Sequence, residues 1–468
     1  MSSLIKELHN QLVNKEITCT ELIQEKLDAL KASDSNSSNY ILDDYALDLA
    51  QKVDAKIAAG EEIGLLEGIP FGVKDVYLLQ GTYSSASSDF LKAYKSPYTA
   101  TAIQKLLDAG AIPVTKENCD SFGHGSSSEN TVFGSVKNAH DDQLVAGGSS
   151  GGSAVNVAKD FTVFSIGGDT GGSIRQPAGY NKVYGLKPTY GKISRYGIMA
   201  YASSTDCVGP IAQTLEDTQI VLNIMAGKDW RDQTTFDSED VKDVAVASEL
   251  SAGTKVGYYK SFIESEALDA DIKAQFNATL EQLKSKGVEV VPLDFFDSNL
   301  LVSTYYALAM AETASNLARL DGSMYGPRAE GDTLKESYSV TRSENFTAET
   351  QRRIVGGNQV LSQGHSEEIY LKAQQLRAAI SDQFDKDFEQ VDLILSPVSP
   401  NKVPKIGENL KDPMTMYLSD AYTVGFSLGG LPTMTSPIGT EAGLQITAAK
   451  RNEELLFTCA NTLRELNK

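Results

Sequence analysis

Two glycine- and serine-rich turns within residues 147–173 constrain this chain more than any other feature. They read GGSSGGS at 147–153 and GGDTGGS at 167–173, and an apolar segment separates them. Glycine permits backbone angles and close approaches that a Cβ would forbid, so doubled glycines beside serines predict loops that present amides and hydroxyls to a small ligand. Two such loops joined by one apolar segment predict a single site.

The order of the other elements predicts an α/β fold. Short buried strands are expected at 68–75 and 111–114, with a helix at 100–109 between them, and this alternation is typical of a parallel or mixed sheet. Further helices are expected at 3–31, 41–60, up to Met225, 266–286, 299–320, 366–390 and 452–466. Further strands are expected at 255–259, 288–292, 393–397 and 443–448.

All 468 residues are expected to form one domain, although the length alone would suit more than one. Its parts are N-terminal helices at about 1–60, a core with both glycine turns at about 61–225, and a second lobe at about 228–468. An acidic run at 229–243, which contains Trp230, is expected to cross the surface between the two lobes.

Composition argues against several classes of function. The net charge is −20, from 42 basic and 62 acidic residues, which disfavours direct binding of nucleic acid. The four cysteines form no CxxC pair, so neither a disulfide framework nor a metal site is expected. No apolar window is long enough for a membrane span, and the N-terminus resembles neither a signal nor a transit peptide. A cytoplasmic location is therefore expected.

The chemistry of the glycine turns has several candidate interpretations. Neither turn has the lysine of a P-loop or the spacing GxGxxG, so phosphate binding is disfavoured. His124 is the best candidate for a histidine base, but only the tertiary fold could bring it to Ser173. A serine nucleophile with a lysine base fits better, because a desolvated lysine can be neutral and a second serine can relay the proton. Lys74 could equally be a surface lysine at a strand end.

The run GGSSGGSAVNVAKDFTVFSIGGDTGGSIRQPAGYNKVYGLKPTYG, with GIPFGVKDV upstream, resembles the amidase signature family. This resemblance implies the α/β fold of that family, in which a mixed sheet lies between helices. It implies Lys74 as the base, Ser149 as a bridging serine that follows a cis peptide bond, and Ser173 as the nucleophile. The implied oxyanion hole consists of the backbone amides of Thr170, Gly171, Gly172 and Ser173.

Segments outside this signature most resemble one subfamily, the A subunits of glutamyl-tRNA(Gln) amidotransferases. These segments are 120–130, 315–322, 351–354 and 412–420. The resemblance implies that Arg353 and Asp420 bind the α-carboxylate and the α-amino group of glutamine, and that Tyr305 or Tyr306 lies near the pocket. The sequence departs from the subfamily at 121–125 and between Ile438 and Gln445, which leaves the pocket rim and the partner contacts open.

The resemblance implies a glutaminase that forms an acyl-enzyme on Ser173, releases ammonia and needs no cofactor of its own. In the subfamily a B subunit uses ATP and Mg to amidate Glu-tRNA(Gln), the tRNA is bound through that partner, and a C subunit completes the assembly. A stand-alone amidase would not depend on Arg353, and a non-catalytic glycine-loop binding module would not be labelled at Ser173. Simpler interpretations make Arg353 a surface ion pair, Asp420 an N-cap and Ser149 a turn serine.

Overall fold

The computed structural model describes residues 2–237, 243–244 and 249–468. The α-helices of these residues are α1 Leu4–Val13, α2 Cys19–Ala32, α3 Asp43–Ala58, α4 Thr101–Asp108, α5 Gly151–Ala158, α6 Arg175–Tyr180, α7 Leu215–Met225, α8 Lys260–Ile263, α9 Ala270–Ser285, α10 Ser298–Asn316, α11 Leu334–Asn345, α12 Ala348–Leu361, α13 Leu371–Asp387, α14 Glu408–Lys411, α15 Pro413–Ser419, α16 Val424–Leu428 and α17 Glu453–Leu466. The strands are β1 Ser38–Ile41, β2 Pro70–Lys74, β3 Ile112–Glu117, β4 Phe164–Asp169, β5 Tyr184–Lys187, β6 Cys207–Ala212, β7 Lys255–Tyr259, β8 Glu289–Leu293, β9 Leu393–Pro397, β10 Thr433–Ser436 and β11 Leu444–Ala448.

The strands of the described residues form one 11-stranded sheet in the order β1-β3-β2-β4-β6-β5-β10-β11-β9-β7-β8. β2 pairs in parallel with β3 and β4, and β7 pairs in parallel with β8 and β9. The strand pairs between these two groups are antiparallel. This mixed sheet packed with helices confirms the α/β fold that the sequence predicts.

Most predicted elements form close to their expected positions. The strands expected at 255–259 and 393–397 match β7 and β9 residue for residue. Helix α2 begins after a capping box, in which the Thr18 hydroxyl accepts from the Glu21 amide and the Glu21 carboxylate accepts from the Thr18 amide. The elements for which no prediction was made are β1, β4, β5, β6, β10, α5, α6, α8, α11, α12, α14, α15 and α16.

The sheet brings the two glycine turns together. β4 lies beside β2, and all residues of both strands are buried. The first turn leads directly into α5, which packs on β2 and β4, and the second turn links β4 to α6. Because the carboxyl ends of parallel strands lie at one edge of a sheet, Lys74 at the end of β2 and the turn after β4 meet there.

The start of the acidic run at 229–243 is a turn at the surface, as expected, and buried aspartates anchor it. Asp229 and Asp232 are buried, and Asp229 accepts hydrogen bonds from Thr101 and Ser194. Trp230 projects outward, with 78% of its surface exposed, and Arg231, Gln233 and Thr234 are exposed as well. Residues 238–242 of the run lie outside the described residues, and the division into two lobes stays a prediction.

Candidate active site

Lys74 is buried, and its amine contacts two of the three serines of the first glycine turn. Its Nζ lies 2.7 Å from Ser149 Oγ, 2.9 Å from Ser150 Oγ and 3.2 Å from the Gly168 carbonyl oxygen. No carboxylate of the described residues forms an ion pair with this amine. Burial lowers the pKa of Lys74, and nearby acidic groups, Cys119 first, oppose this only in part. A lysine in this setting can be neutral, with two N–H donors and one lone pair that accepts from a serine hydroxyl.

Ser149 is held rigidly by the backbone around it. The peptide bond between Gly148 and Ser149 is cis, as the family resemblance implies. Only glycine fits at 148, because a Cβ there would lie 2.1 Å from Asp120 Oδ2 and 2.7 Å from the Ser127 amide nitrogen. The Ser149 carbonyl accepts from the Asp120 amide at 3.3 Å. Ser149 is therefore a buried, constrained residue rather than a turn serine at the surface.

Ser173 lies across from Ser149 on the second glycine turn. The Ser150 amide donates to the Ser173 carbonyl oxygen at 3.0 Å, which ties the two turns together. Within the described residues, no hydrogen bond joins the Ser173 hydroxyl to Ser149 or to Lys74. The structure thus brings all three predicted catalytic residues to one place. The hydrogen bond between the Ser173 and Ser149 hydroxyls, which the expected proton relay requires, is not formed.

The second turn presents three backbone amides without acceptors, where the sequence predicts four. Gly172 adopts a φ of +144° and its amide donates to Asp169 Oδ1 at 2.9 Å, so this amide is not free to bind an oxyanion. This finding corrects the expectation for Gly172. The amides of Thr170, Gly171 and Ser173 have no hydrogen-bond acceptor among the residues that the structure describes. The expected oxyanion hole is thereby narrowed to these three.

A buried ion pair fixes the shape of this turn. Arg175 donates from Nε to Asp169 Oδ2 at 2.9 Å and from Nη2 to Oδ1 at 3.0 Å. The guanidinium also donates to the Thr423 carbonyl at 3.0 Å and to Gln445 Oε1 at 2.6 Å. Burial acts to raise the pKa of Asp169, but the charge and hydrogen bonds of Arg175, with smaller effects of Lys187 and the Ile174 amide, together lower it below its ordinary value. A bidentate pair with all donors satisfied holds the amides in fixed positions.

The space beside the catalytic residues is small. Lys74, Ser149, Thr170, Tyr201 and Asp206 border a cavity of about 20 Å³. Such a volume holds about one water molecule, so binding of an amide substrate requires the lining side chains to move. Thr170 is held from behind by a 2.7 Å hydrogen bond from its hydroxyl to Asp206 Oδ1.

Arg353 lies inside the protein, 2% exposed, which contradicts its interpretation as a surface ion pair. Its Nε donates to Glu349 Oε1 at 2.8 Å, and its Nη1 donates to the Tyr201 hydroxyl at 2.6 Å. The rings of Tyr201, Tyr306 and Tyr417 face the guanidinium carbon at 5.4, 5.2 and 5.7 Å. Its Nη2 has no hydrogen-bond partner in the described part of the chain, and it is the donor left for a ligand.

Asp420 is the C-cap residue of α15 and not an N-cap. Its Oδ2 accepts from the Tyr306 hydroxyl at 2.7 Å. Burial raises the pKa of Asp420 to about 7, while the Tyr306 hydrogen bond and the charge of Arg353 act in the opposite direction. The carboxyl group is therefore close to its titration point at neutral pH, and a cationic ligand would favour its ionised form.

The two adjacent tyrosines have different partners. Tyr306 contacts Asp420, whereas the ring of Tyr305 lies against the second glycine turn. A Cβ on Gly171 would come within 2.5 Å of Tyr305 Cζ, so glycine is required there. The Tyr305 hydroxyl donates to that of Tyr201 at 3.5 Å. The pair thus connects the predicted oxyanion turn with the surroundings of Arg353.

His124 is excluded as the base by its contacts. It is fully buried, and its ring nitrogens lie 3.1 Å from Thr350 Oγ1 and 3.3 Å from Thr313 Oγ1. Burial, followed by the charge of Arg353, lowers the pKa of His124 well below its ordinary value. The described residues form no hydrogen bond between His124 and Ser173.

Several residues of the site were not found from the sequence, namely Ser150, Asp169, Tyr201, Asp206 and Glu349. Only Glu349 carried a usable signal, because it precedes Arg353 by four positions and lies on the same face of a helix. No group of three or more His, Cys, Asp or Glu side chains in the described residues could hold a metal ion. No helix there is long and apolar enough to cross a membrane.

Comparison with known proteins identifies the family. The sequence profile of the family Amidase matches residues 19–457. The chain is 43% identical over 463 residues to the A subunit of the glutamyl-tRNA(Gln) amidotransferase of Gloeothece citriformis (strain PCC 7424), and the match covers 97% of this chain and 96% of the relative. It is 44% identical over 467 residues to the protein of the same name from Nostoc sp. (strain PCC 7120 / SAG 25.82 / UTEX 2576), with 97% and 96% coverage.

A solved structure agrees with these relatives. The crystal structure of the A subunit of glutamyl-tRNA(Gln) amidotransferase from Thermotoga maritima superposes with a TM-score of 0.78 and is 32% identical. The match covers 96% of this chain and 91% of that one. The sequence profile, the relatives and the fold agree over nearly the whole length, and the chain belongs to the amidase family.

Proposed function

We propose that this protein is the glutamine-hydrolysing subunit of a Glu-tRNA(Gln) amidotransferase. The observation that carries the proposal is the burial of a guanidinium and a carboxyl group, Arg353 and Asp420, which both contact Tyr306. The adjacent Tyr305 packs against the nucleophile turn. A free amino acid differs from other amides in its zwitterionic head group, and this pair of charges complements it. The names of the relatives support the same assignment.

Acylation begins at Ser173. Neutral Lys74 takes the proton of Ser149, Ser149 takes the proton of Ser173, and Ser173 Oγ attacks the carboxamide carbon of glutamine. The oxyanion of the tetrahedral intermediate accepts from the amides of Thr170, Gly171 and Ser173. The C–N bond then breaks as the proton returns through Ser149 to the leaving nitrogen. The products of this step are ammonia and a γ-glutamyl ester of Ser173.

Deacylation uses the same residues in the opposite order. A water molecule gives a proton to the Ser149–Lys74 pair as it attacks the ester carbonyl. The ester C–O bond breaks, Ser173 regains its proton from the pair, and glutamate leaves. Lys74 is neutral again at the end of the cycle, so protons balance without any other acid or base.

Recognition of glutamine uses donors and acceptors that the protein leaves unpaired. Arg353 Nη2 donates to the α-carboxylate, and Glu349 and Tyr201 hold the other guanidinium nitrogens in place. Asp420 accepts from the α-ammonium through its Oδ1, because Oδ2 is bonded to Tyr306. Tyr305, packed on Gly171, separates the head-group site from the oxyanion turn.

The remaining steps belong to partners. The ammonia passes to a B subunit that uses ATP and Mg to amidate Glu-tRNA(Gln), and a C subunit completes the heterotrimer. The tRNA is bound through the partner, in keeping with the net charge of −20 of this chain. A bacterial cytoplasmic location, where tRNA is aminoacylated, is part of the proposal. No cofactor is assigned to this subunit.

The test is a comparison of substrates in the assembled complex. The chain is purified with the B and C subunits of its source, and hydrolysis of glutamine is compared with that of a simple aliphatic amide, together with formation of Gln-tRNA(Gln). We expect a preference for glutamine, a γ-glutamyl adduct on Ser173 by mass spectrometry, and amidated tRNA. Equal use of both amides without amidated tRNA would favour a stand-alone amidase. Failure of a fluorophosphonate probe to label Ser173 would favour a binding module.

A further inference from the structure

Glu117 is a buried carboxyl group placed beside the proposed base. It is the last residue of β3, in register with Lys74, the last residue of the parallel neighbour β2. In-register residues of adjacent strands point to the same face of a sheet, and here that face is covered by α5. Lys74 meets the serines just before α5, and Glu117 meets Asn156 in its last turn. A carboxyl group and an amine thus lie under one short helix.

The hydrogen bonds of Glu117 are asymmetric. Its Oε1 accepts from Ser165 Oγ at 2.6 Å and from Asn156 Nδ2 at 3.1 Å. Its Oε2 has no partner among the described residues, and neither have Ser153 Oγ and Asn156 Oδ1. An ionised carboxylate can only accept and suits the Ser153 hydroxyl as a donor, whereas a protonated one also donates and suits Asn156 Oδ1 as an acceptor. The surroundings therefore accommodate the neutral acid as well as the anion.

The carboxyl group has no room to turn away. A Cβ on Gly72 would lie 1.8 Å from Glu117 Oε1, so the backbone of β2 closes over it. Lys74 is the charged side chain that faces it. Lys116 points to the opposite face of the sheet, where it pairs with Asp75 at 3.0 Å. The other neighbours are uncharged: Ser38 of β1, Ser153 and Asn156 of α5, and Ser165 of β4.

The electrostatics agree with this geometry. Burial raises the pKa of Glu117 to about 7, with the polar side chains of Ser153, Ser165 and Asn156 and the charge of Lys74 acting in the opposite direction. Burial lowers the pKa of Lys74. The acidic groups Cys119, Asp120, Asp169 and Asp206 oppose this lowering. Burial thus moves the pKa values of Glu117 and Lys74 towards each other, and interacting groups of this kind titrate as a pair.

We propose that Glu117 is a positioning residue whose charge sets the pH range in which Lys74 acts as a base. This inference rests on the proposed function, because it takes Lys74 to be the base for Ser149 and Ser173. The ionised carboxylate stabilises the ammonium form of Lys74 and so raises its pKa. The neutral acid removes that stabilisation, and Lys74 then loses its proton at lower pH.

The test measures activation of Ser173 rather than turnover of a particular amide. The rate of Ser173 labelling by a fluorophosphonate probe is recorded against pH for the wild type and for Glu117→Gln. Glutamine retains the acceptor Oε1 and supplies a donor to Asn156 and Ser153, so the fold is preserved. Removing the negative charge should move the acidic limb of the labelling profile to lower pH by at least ~0.5 pH unit, with little change in the plateau rate.

Two further variants keep the test decisive. Ser165→Ala removes the donor that favours ionised Glu117, so its limb should move in the same direction by a smaller amount. Asp387→Asn alters a buried carboxyl group bonded to Tyr259, at the other end of the sheet, and should leave the profile unchanged. An unshifted limb in Glu117→Gln or, should that variant not fold, in Ser165→Ala overturns the inference. Full labelling in Lys74→Ala would instead overturn the proposed function.

Discussion

Two regions of this protein differ in how their residues are arranged along the chain. The first surrounds Ser149 and Ser173, and the second surrounds Arg353 and Asp420. Ser149 and Ser173 lie 24 positions apart in one glycine-rich run, and hydrogen bonds from Ser150 to Gly168 and Ser173 join the two turns within that run. Arg353 and Asp420 come from α12 and the end of α15, and their partners Tyr201 and Tyr306 come from elsewhere again. The first region is built from a motif, and the second from the tertiary fold.

This difference indicates that substitutions can alter substrate selectivity without altering amide cleavage. Bond cleavage depends on a compact motif whose glycines leave no space for other residues, as at Gly148. Selectivity depends on dispersed side chains, each of which can change without disturbing the motif. Variants of the first region should therefore affect every amide substrate, and variants of the second should affect only amides with a zwitterionic head group.

The largest effect is expected for Ser173→Ala. Loss of the nucleophile should lower kcat/KM for glutamine and for a simple aliphatic amide equally, on the order of 10⁴-fold, because the other hydroxyl of the oxyanion turn, that of Thr170, is bonded to Asp206. Steady-state rates and intact-protein mass spectrometry measure this. An acyl adduct on another residue, or activity retained on one of the two substrates, would show that Ser173 is not the nucleophile for every amide substrate.

The next effect concerns Lys74. Lys74→Ala and Lys74→Arg should each lower kcat on both substrates on the order of 10³-fold, because a guanidinium stays protonated and cannot act as a base. Pre-steady-state kinetics measure the rate of Ser173 acylation directly and show whether this step is the one that slows. Near-normal acylation by the arginine variant would show that this residue contributes only a positive charge.

A smaller and selective effect is expected for Arg353→Ala. Leaving the substrate carboxylate without its partner should lower kcat/KM for glutamine roughly 100-fold, while the aliphatic amide changes little. Because Glu349 would lose one of its two arginine partners, the double variant Arg353→Ala with Glu349→Gln controls for instability. The matched control is Arg352→Ala, whose side chain is 46% exposed and contacts the same glutamate. Equal losses on both substrates would make Arg353 structural.

The smallest effect is a pH dependence from Asp420. Its pKa of about 7 means that the carboxylate is ionised above neutral pH and is lost as the pH falls below this value. The KM for glutamine should therefore rise at low pH, up to about tenfold per pH unit. The ratio of kcat/KM for glutamine to kcat/KM for the aliphatic amide is recorded against pH, because the titration of Lys74 affects both substrates and cancels in this ratio. Tyr306→Phe, which removes a hydrogen bond to the ionised form, should move the midpoint upward; a pH-independent ratio would exclude Asp420 as the ammonium partner.

The same division limits what the sequence can predict. The roles of Lys74, Ser149 and Ser173 were predicted from the resemblance to the amidase signature family, because the glycine turns and the strand end alone left Lys74 open as a surface lysine. Strands β7 and β9 were predicted because they are short apolar runs. Tyr201 and Asp206 left no pattern, since their roles arise from contacts with residues far away in the chain. Gly172 was assigned to the oxyanion hole although its amide is used by Asp169, a contact that depends on how the turn closes and cannot be read from residue types. Only the three-dimensional structure separates Tyr305 from Tyr306.

The cavity of about 20 Å³ beside Lys74 has a consequence for the timing of the reaction. Because this cavity beside Lys74 and Ser149 has room for about one water molecule, it holds little solvent before the substrate binds. The substrate must displace the lining side chains when it binds, and these side chains return when glutamate leaves. Movement of the lining side chains must therefore precede acylation and accompany release of the products.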